Sequence, residues 1–331
     1  MGKAAIGVIG AGRWGRNYLR TFNELGCRIK WLCSTRDAAL NEALADTKVS
    51  AKATKNYSDI LEDRDIDAVA IATPGSTHYR LAKEALQSGK HVLVEKPIAF
   101  SSKNVEELIR ISKQKNKILM VGHQQLFNPG IQKMKEDISK GLFGKISFIN
   151  LIHFGSGPVR TDMSALWDFF PHSVSILIYL LEECPITVSA NGKSFINKGI
   201  EDIATMDAIF PDKIFAASTA SWLYPTKKME VTVVAEKLCA AFDDYAQNDK
   251  LKYYYSRPKM AGGRIMIKDR GFKAPKLSKA RPLTLEIKHF LECISKNRKP
   301  IVDGEEALKV TKVLEAAEQS LRRNGFPVRV K

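Results

Sequence analysis

The hexapeptide Gly10-Ala11-Gly12-Arg13-Trp14-Gly15 narrows the fold of this chain because of what stands on either side of it. Before it lies a run of small and apolar residues, Ala4 to Ile9, and after it a segment with the spacing of an amphipathic helix. A G-x-G-x-x-G spacing alone carries little information. Between a buried strand and a helix it reads as a loop for the phosphates of a dinucleotide. Gly10 permits the tight turn, Gly12 lets backbone N–H groups approach a pyrophosphate, and Gly15 lets the helix lie close to the strand. The helix N-terminus adds partial positive charge at the phosphates, with Arg13 and Trp14 on the same turn. On these six residues alone, a plain strand-to-helix turn of another α/β protein remains the alternative.

The rest of the first third repeats the pattern. Apolar runs at 4–10, 29–33, 68–73, 91–95 and 118–121 are short and near-continuous, as for parallel strands buried on both faces. Helical spacing fills the gaps: Leu81, Ala82, Ala85 and Leu86 before the stop at Gly89, then Val105, Leu108, Ile109 and Ser112. This alternation predicts an α/β Rossmann domain over residues 1–122. The 331 residues exceed the ~250–300 at which a single core stops growing, so a second domain is expected over 123–331. There the segments 145–154, 186–195, 203–210, 214–222 and 229–235 alternate, as antiparallel strands do. A helix is predicted at 131–140 and an apolar one at 169–181. Two more close the chain, at 283–295 and 304–323, the last with Asp303 and Glu306 in capping-box spacing. These closing helices are assigned to the second domain, with packing back on the first left open.

Charge and cysteine content exclude some classes. The net charge of +16 raises the question of a nucleic-acid partner. The basic residues are spread along the chain, and the one dense stretch, 257–281, lacks interleaved aromatics suited to base stacking, so no such partner is expected. The five cysteines form no C-x-x-C and no metal-ligand spacing; they read as reduced thiols of a cytoplasmic protein, and no metal is expected. The first apolar run ends in the glycine loop and reads as a strand rather than a signal peptide. No run approaches the ~20 residues of a membrane span.

Which dinucleotide is bound is usually decided at the end of the second strand, where an acidic residue suits the ribose of NAD. Here Cys33 is followed by Ser34, Thr35 and Arg36, with Asp37 one step later. Two hydroxyls and an arginine suit a 2′-phosphate, so NADP is favoured. NAD stays possible if Asp37 turns inward. Glu95-Lys96-Pro97 ends the fourth run, at the strand end where ligands of such sheets bind. By position alone, a surface lysine reads equally well. Asp168 and His172 stand four apart, on one face of a helix, and a histidine oriented by a carboxylate is a good general base. The first turn of the helix predicted from residue 169 would help keep the imidazole neutral. Asp168 as a simple N-cap is the competing reading.

Taken together, Gly10 to Gly15, Ala72-Thr73-Pro74 with His78, Glu95-Lys96-Pro97 and Trp167-Asp168-x-x-Pro171-His172 resemble the Gfo/Idh/MocA oxidoreductase family over the whole chain. Residues 123–129 (His123 to Pro129), 165–173 and 221–225 resemble most the branch containing UDP-N-acetylglucosamine 3-dehydrogenases and related nucleotide-sugar enzymes. The resemblance implies a second domain with a mostly antiparallel open sheet that holds substrate and forms a homo-oligomer, dimer or tetramer. It implies hydride transfer between NAD(P) and a secondary carbinol of a sugar, sugar derivative or nucleotide sugar. Lys96 would bond the reacting oxygen and help position the nicotinamide; Asp168 and His172 would transfer the proton. Thr73, Pro74, His78 and Glu95 would line the dinucleotide cleft, and His123 and Trp167 would meet substrate. Arg160, Lys227 and Lys228 are candidates for an anionic substrate group, or else solvated loop charge. Ser34 departs from the Asp of many relatives, which puts NAD preference in doubt. A cyclitol dehydrogenase and a non-catalytic redox sensor are the alternatives.

Overall fold

The computed structural model describes residues 4–156, 158–255, 258–267 and 270–331; positions 257, 268 and 269 of the basic stretch lie outside the described residues. The chain forms two units, Met1–Gln124 with Arg281–Thr311, and Gln125–Ala280 with Lys312–Lys331.

The apolar runs of the first third become the parallel sheet of the first unit. Its elements are β1 (Ala5–Ile9), α1 (Arg13–Glu24), β2 (Arg28–Cys33), α2 (Asp37–Thr47), β3 (Lys52–Thr54), α3 (Ser58–Glu62), β4 (Ala68–Ile71), α4 (Gly75–Gln87), β5 (His91–Glu95), α5 (Ser102–Lys115) and β6 (Leu119–Gly122). The order β3-β2-β1-β4-β5-β6 is that of a doubly wound Rossmann sheet, and every pair is parallel. The middle strands β1 and β4 are buried at every position, because helices cover both faces of such a sheet. The sequence does not announce β3, whose Lys52 and Ala53 are exposed at the sheet edge.

The second unit contributes α6 (Pro129–Ser139), β7 (Ile146–Ser156), α7 (Ala165–Leu181), β8 (Thr187–Lys193), β9 (Ile203–Ile209), β10 (Phe215–Ser221), β11 (Leu223–Ala235), β12 (Cys239–Asp243), β13 (Leu251–Tyr254), β14 (Pro258–Ala261), β15 (Arg264–Ile267) and β16 (Phe272–Lys273). The chain closes with α8 (Pro282–Lys296), α9 (Gly304–Arg322) and β17 (Val328–Arg329). The nine-stranded sheet runs β16-β13-β12-β11-β7-β10-β9-β8-β17, with β14 and β15 a separate hairpin. It is antiparallel except where β10 lies parallel to β7. Alternate residues such as Ala216, Ser218 and Ala220 are buried, while Phe215 on the opposite face is exposed. That open face carries two aromatic stacks, Phe148 on Phe215 at 5.6 Å and Phe154 on Tyr224 at 4.3 Å between ring centroids.

One expectation needs revision. The apolar helix α7 begins at Ala165 with Ser164 as N-cap, four residues earlier than the periodicity suggested. Asp168 is therefore in the first turn rather than capping it, and His172 lies beyond that turn. The N-terminal dipole acts mainly within the first turn, so it does not bear on His172 as that expectation had it. Of the closing helices, whose packing back on the first domain was left open, α8 and the start of α9 group with the first unit. Val121 N–H donates to Val302 C=O at 3.0 Å, Met120 bridges Asp303, and Arg281 pairs with Glu24. Gly304 allows this approach: a Cβ there would lie 2.6 Å from Ile109 Cγ1. Asp303 does cap α9, its Oδ1 accepting from Glu306 N–H at 3.0 Å.

Candidate active site

The glycine loop has three different reasons for its three glycines. Gly10 sits at φ +112°, where a side chain is strained, and a Cβ would lie 2.3 Å from Ala72 O. A Cβ on Gly15 would lie 1.8 Å from Gly10 O, so this glycine seats α1 on the loop. A Cβ on Gly12 would meet nothing within 4 Å. Gly12 is also the N-cap of α1, with no side-chain cap and no acidic residue in the first turn. Open space in front of uncapped helical N–H groups fits the pyrophosphate of a dinucleotide. Gly10 N–H donates to Cys33 O at 2.8 Å, which ties the loop to the end of β2.

At that end, Ser34 is half-buried, and Thr35 and Arg36 are exposed, Arg36 serving as N-cap of α2. Asp37 pairs with Lys55 at 3.0 Å. Burial pushes the Cys33 thiol up to about 11, so this neighbour of the cleft stays a protonated thiol near neutral pH.

Lys96 follows the last residue of β5 and precedes a cis peptide to Pro97. Its own N–H donates to Glu95 Oε2 at 3.3 Å, and Glu95 Oε1 accepts from the Tyr18 hydroxyl at 2.8 Å. His78, 1% exposed, lies between two carbonyls, with Nδ1 2.8 Å from Pro97 O and Nε2 2.8 Å from Thr73 O. The expectation had this ring lining the cleft. Its nitrogens instead brace the β4–α4 corner against the residue after Lys96. Pro74 is the N-cap of α4, and the Thr73 and Thr77 hydroxyls share a 2.7 Å hydrogen bond. His123, expected on the substrate, is a buried side chain; burial first and the Lys96 charge second push its imidazole down to about 3, so it is neutral.

In the second unit, Trp167, Asp168 and His172 ride on α7, and the spacing of four puts the last two on one face. Trp167 is buried. Arg160 forms a two-pronged pair with Asp162 at 2.9 and 2.7 Å and lies 3.9 Å from Asp168. This guanidinium is thus committed to carboxylates of its own chain. Lys228 pairs with Glu230 at 2.8 Å, and Lys227 beside it on β11 is exposed. Sequence reasoning missed His153 of β7, whose ring centroid is 5.5 Å from that of His172 and 4.6 Å from that of Phe169. A single histidine in an alternating strand gives no signal of its partner. It also missed Tyr18, although the helical spacing of Gly15, Tyr18, Leu19 and Phe22 marks the buried face of α1. Among the described residues no group of three or more His, Cys, Asp or Glu could hold a metal. No described helix is long and apolar enough to cross a membrane.

Comparison with known proteins agrees with the fold. Residues 4–123 match the family described as "Oxidoreductase family, NAD-binding Rossmann fold", and residues 131–240 match the "GFO/IDH/MocA C-terminal domain". The uncharacterized oxidoreductase YrbE of Bacillus subtilis is 25% identical, covering 98% of this chain and 96% of its own. UDP-N-acetylglucosamine 3-dehydrogenase of Acidithiobacillus ferrooxidans is 25% identical, covering 90% of this chain and 91% of its own. A solved structure of the latter superposes with a TM-score of 0.81 over 97% of this chain and all of that one, at 24% identity. A levoglucosan dehydrogenase in complex with NADH and levoglucosan shares the fold at a TM-score of 0.85, covering 99% of each chain at 18% identity. The chain belongs to the Gfo/Idh/MocA oxidoreductase family, its NAD-binding Rossmann domain joined to that family's C-terminal domain.

Proposed function

We propose that the protein is an NAD(P)-dependent dehydrogenase acting on a secondary carbinol of a sugar, sugar derivative or nucleotide sugar. The observation that carries this reading is Lys96 at the carboxyl end of β5, in the unit whose glycine loop fits a dinucleotide. The names of relatives support a secondary-carbinol substrate: a UDP-N-acetylglucosamine 3-dehydrogenase favours the nucleotide-sugar reading, and several inositol dehydrogenases the cyclitol alternative.

The bound nicotinamide supplies the hydride acceptor or donor. Gly12 and the first-turn amides of α1 hold the pyrophosphate. Ser34, Thr35 and the exposed Arg36 hold a 2′-phosphate, so NADP is favoured over NAD; Asp37, which would suit a free ribose, is engaged by Lys55. Lys96 donates a hydrogen bond to the reacting oxygen and helps position the nicotinamide. In the oxidative direction the carbinol C–H leaves as hydride, the O–H proton passes to His172, and the C–O bond becomes a carbonyl. Asp168 orients His172 and balances its charge once protonated. Lys227 is the basic residue left for an anionic substrate group, since Arg160 is held by Asp162. The aromatic open face of the second unit's sheet supports a homo-oligomer.

The test is a panel of UDP-N-acetylglucosamine, free aldoses and myo-inositol, each with NAD and NADP, read by reduced-nicotinamide absorbance. Turnover with a sugar or nucleotide sugar is expected, and its loss in Lys96→Ala. Turnover with myo-inositol alone makes the protein a cyclitol dehydrogenase. Dinucleotide binding without turnover on any substrate makes it a redox sensor. Unchanged turnover in Lys96→Ala removes Lys96 from the mechanism.

A further inference from the structure

Arg160, Asp162 and Asp168 form one ion-pair group at the start of α7, and the guanidinium is shared unequally. Its Nε and Nη2 edge is matched to both oxygens of Asp162, at 2.9 and 2.7 Å. Its third nitrogen, Nη1, stands 3.9 Å from Asp168 Oδ1, beyond hydrogen-bond reach. Asp168 therefore feels the positive charge without giving up an oxygen to it. The Asp168 side chain is 17% exposed, and Arg160 and Asp162 are half-buried, so solvent screens this contact less than a surface pair. The fork also holds the Asp162 carboxyl below the usual carboxylate range, so this acid is ionised.

The fold fixes this stand-off. The loop between β8 and β9 grips the segment at both ends: Asn197 Nδ2 donates to Arg160 C=O at 3.3 Å, and Ala165 N–H, at the first residue of α7, donates to Glu201 C=O at 2.8 Å. That loop is anchored in turn by Asp202, which is fully buried. Its Oδ2 accepts from the Phe195 and Ile196 N–H groups at 2.6 and 2.8 Å, and its Oδ1 from Trp222 Nε1 at 2.7 Å. Along α7, the spacing of four sets His172 beside Asp168. His153 of β7 is the other titratable ring here, its centroid 5.5 Å from that of His172. The Glu201 side chain lies against Gly192 of β8 instead, Asp207 of β9 is on the exposed face, and Lys135 of α6 pairs with Glu182 just beyond the far end of α7.

Two carboxylates and one guanidinium give the group a net charge of −1. Removing Arg160 would make it −2, and removing Asp162 would make it zero. Negative charge beside an imidazole favours its protonated form. We propose that Arg160 is a positioning residue for the proton-transfer pair: held off by Asp162, it offsets part of the Asp168 charge and so sets the pH at which His172 takes its proton. That role rests on the reading above, in which Asp168 and His172 transfer the proton.

The test follows the His172 ring by NMR titration of the full chain, its signal identified as the one lost in His172→Gln. Arg160→Gln is expected to raise the titration midpoint by about 0.5 pH unit and Asp162→Asn to lower it by about as much, the effect of one charge partly screened by solvent. Arg160→Lys keeps the charge but not the fork, so it is expected to melt lower and yet hold the wild-type midpoint. In the oxidative direction the acid limb of kcat/KM moves with the midpoint in each variant. A ring that titrates alike in the wild type, Arg160→Gln and Asp162→Asn overturns the proposal, as does a shift of the same sign in both. Either variant decides alone should the other not fold. A loss confined to a raised KM for UDP-N-acetylglucosamine, with the acid limb unmoved, makes Arg160 a contact of the substrate anion and also overturns it. The titration needs no substrate, so a wild type that turns over nothing in the panel overturns the dehydrogenase reading itself, a result distinct from any shift of the midpoint.

Discussion

Gly12 and Gly15 stand three residues apart in one loop, and the structure gives them opposite fates on substitution by alanine. Gly12 lies at φ −74° and ψ −168°, which alanine adopts without strain, and its Cβ would meet nothing within 4 Å. Alanine is a poorer N-cap than glycine, but it reduces the freedom of the unfolded chain; the two effects nearly cancel, leaving stability within about 0.5 kcal/mol. Its methyl group fills the space through which a pyrophosphate approaches the α1 amides. Displacing those contacts costs about 2–3 kcal/mol, or roughly 100-fold in dinucleotide affinity. In Gly15→Ala the Cβ begins 1.8 Å from Gly10 O and must retreat beyond 3.0 Å, so α1 and the loop separate by about 1.2 Å. Forced separation of a packed contact costs about 3 kcal/mol, or roughly 6–10 °C of melting temperature. Thermal melts and calorimetry with NADPH and NADH separate the two variants. A Gly12→Ala protein that binds both dinucleotides like the wild type refutes the loop as a phosphate cradle.

Three further outcomes are expected. Arg36→Ala lowers NADPH affinity about tenfold, the contribution of a charge-assisted hydrogen bond, and leaves NADH binding unchanged; an equal shift for both removes Arg36 from the 2′-phosphate. Phe215→Lys places a charge in the stacked pair on the open sheet face and reduces the mass seen by sedimentation; a wild type that sediments as a monomer ends the homo-oligomer reading. His91 is held down to about 4 by burial, then by the Lys117 charge, and its Nδ1 accepts from Ile118 N–H at 3.0 Å, which needs a neutral ring. The unfolded ring takes its proton near pH 6.5 and the folded ring near 4, so stability falls as pH drops between them, by about 2 kcal/mol after allowing for partial exposure. A His91→Gln protein whose melting temperature falls as steeply over that range shows that another group is responsible.

The local signals that reached the right answer share one property: each is a periodicity or spacing that a single element satisfies by itself. The parallel strands show as apolar runs because both their faces are buried. The loop from Gly10 to Gly15 shows because its turn, strand and helix are contiguous, and the cap of α9 shows because Asp303 and Glu306 are three apart. The short strand β3 and the edge strand β16 lack such a signal, since exposed edges impose no apolar pattern. The start of α7 was misplaced because Trp167 and Leu166 look the same to a periodicity whether they begin the helix or precede it. What only tertiary structure decided are the pairings between residues far apart in the chain. These are the clasp of His78 on Pro97 and the meeting of Tyr18 with Glu95; the burial of Glu286 and His123 was decided in the same way. A side chain's availability depends on its solvent exposure and on the donors and acceptors folding brings to it. The sequence by itself therefore determined the Rossmann architecture and the kinds of residue in these motifs, while burial and partnership decided which of them are exposed and which are held by the fold.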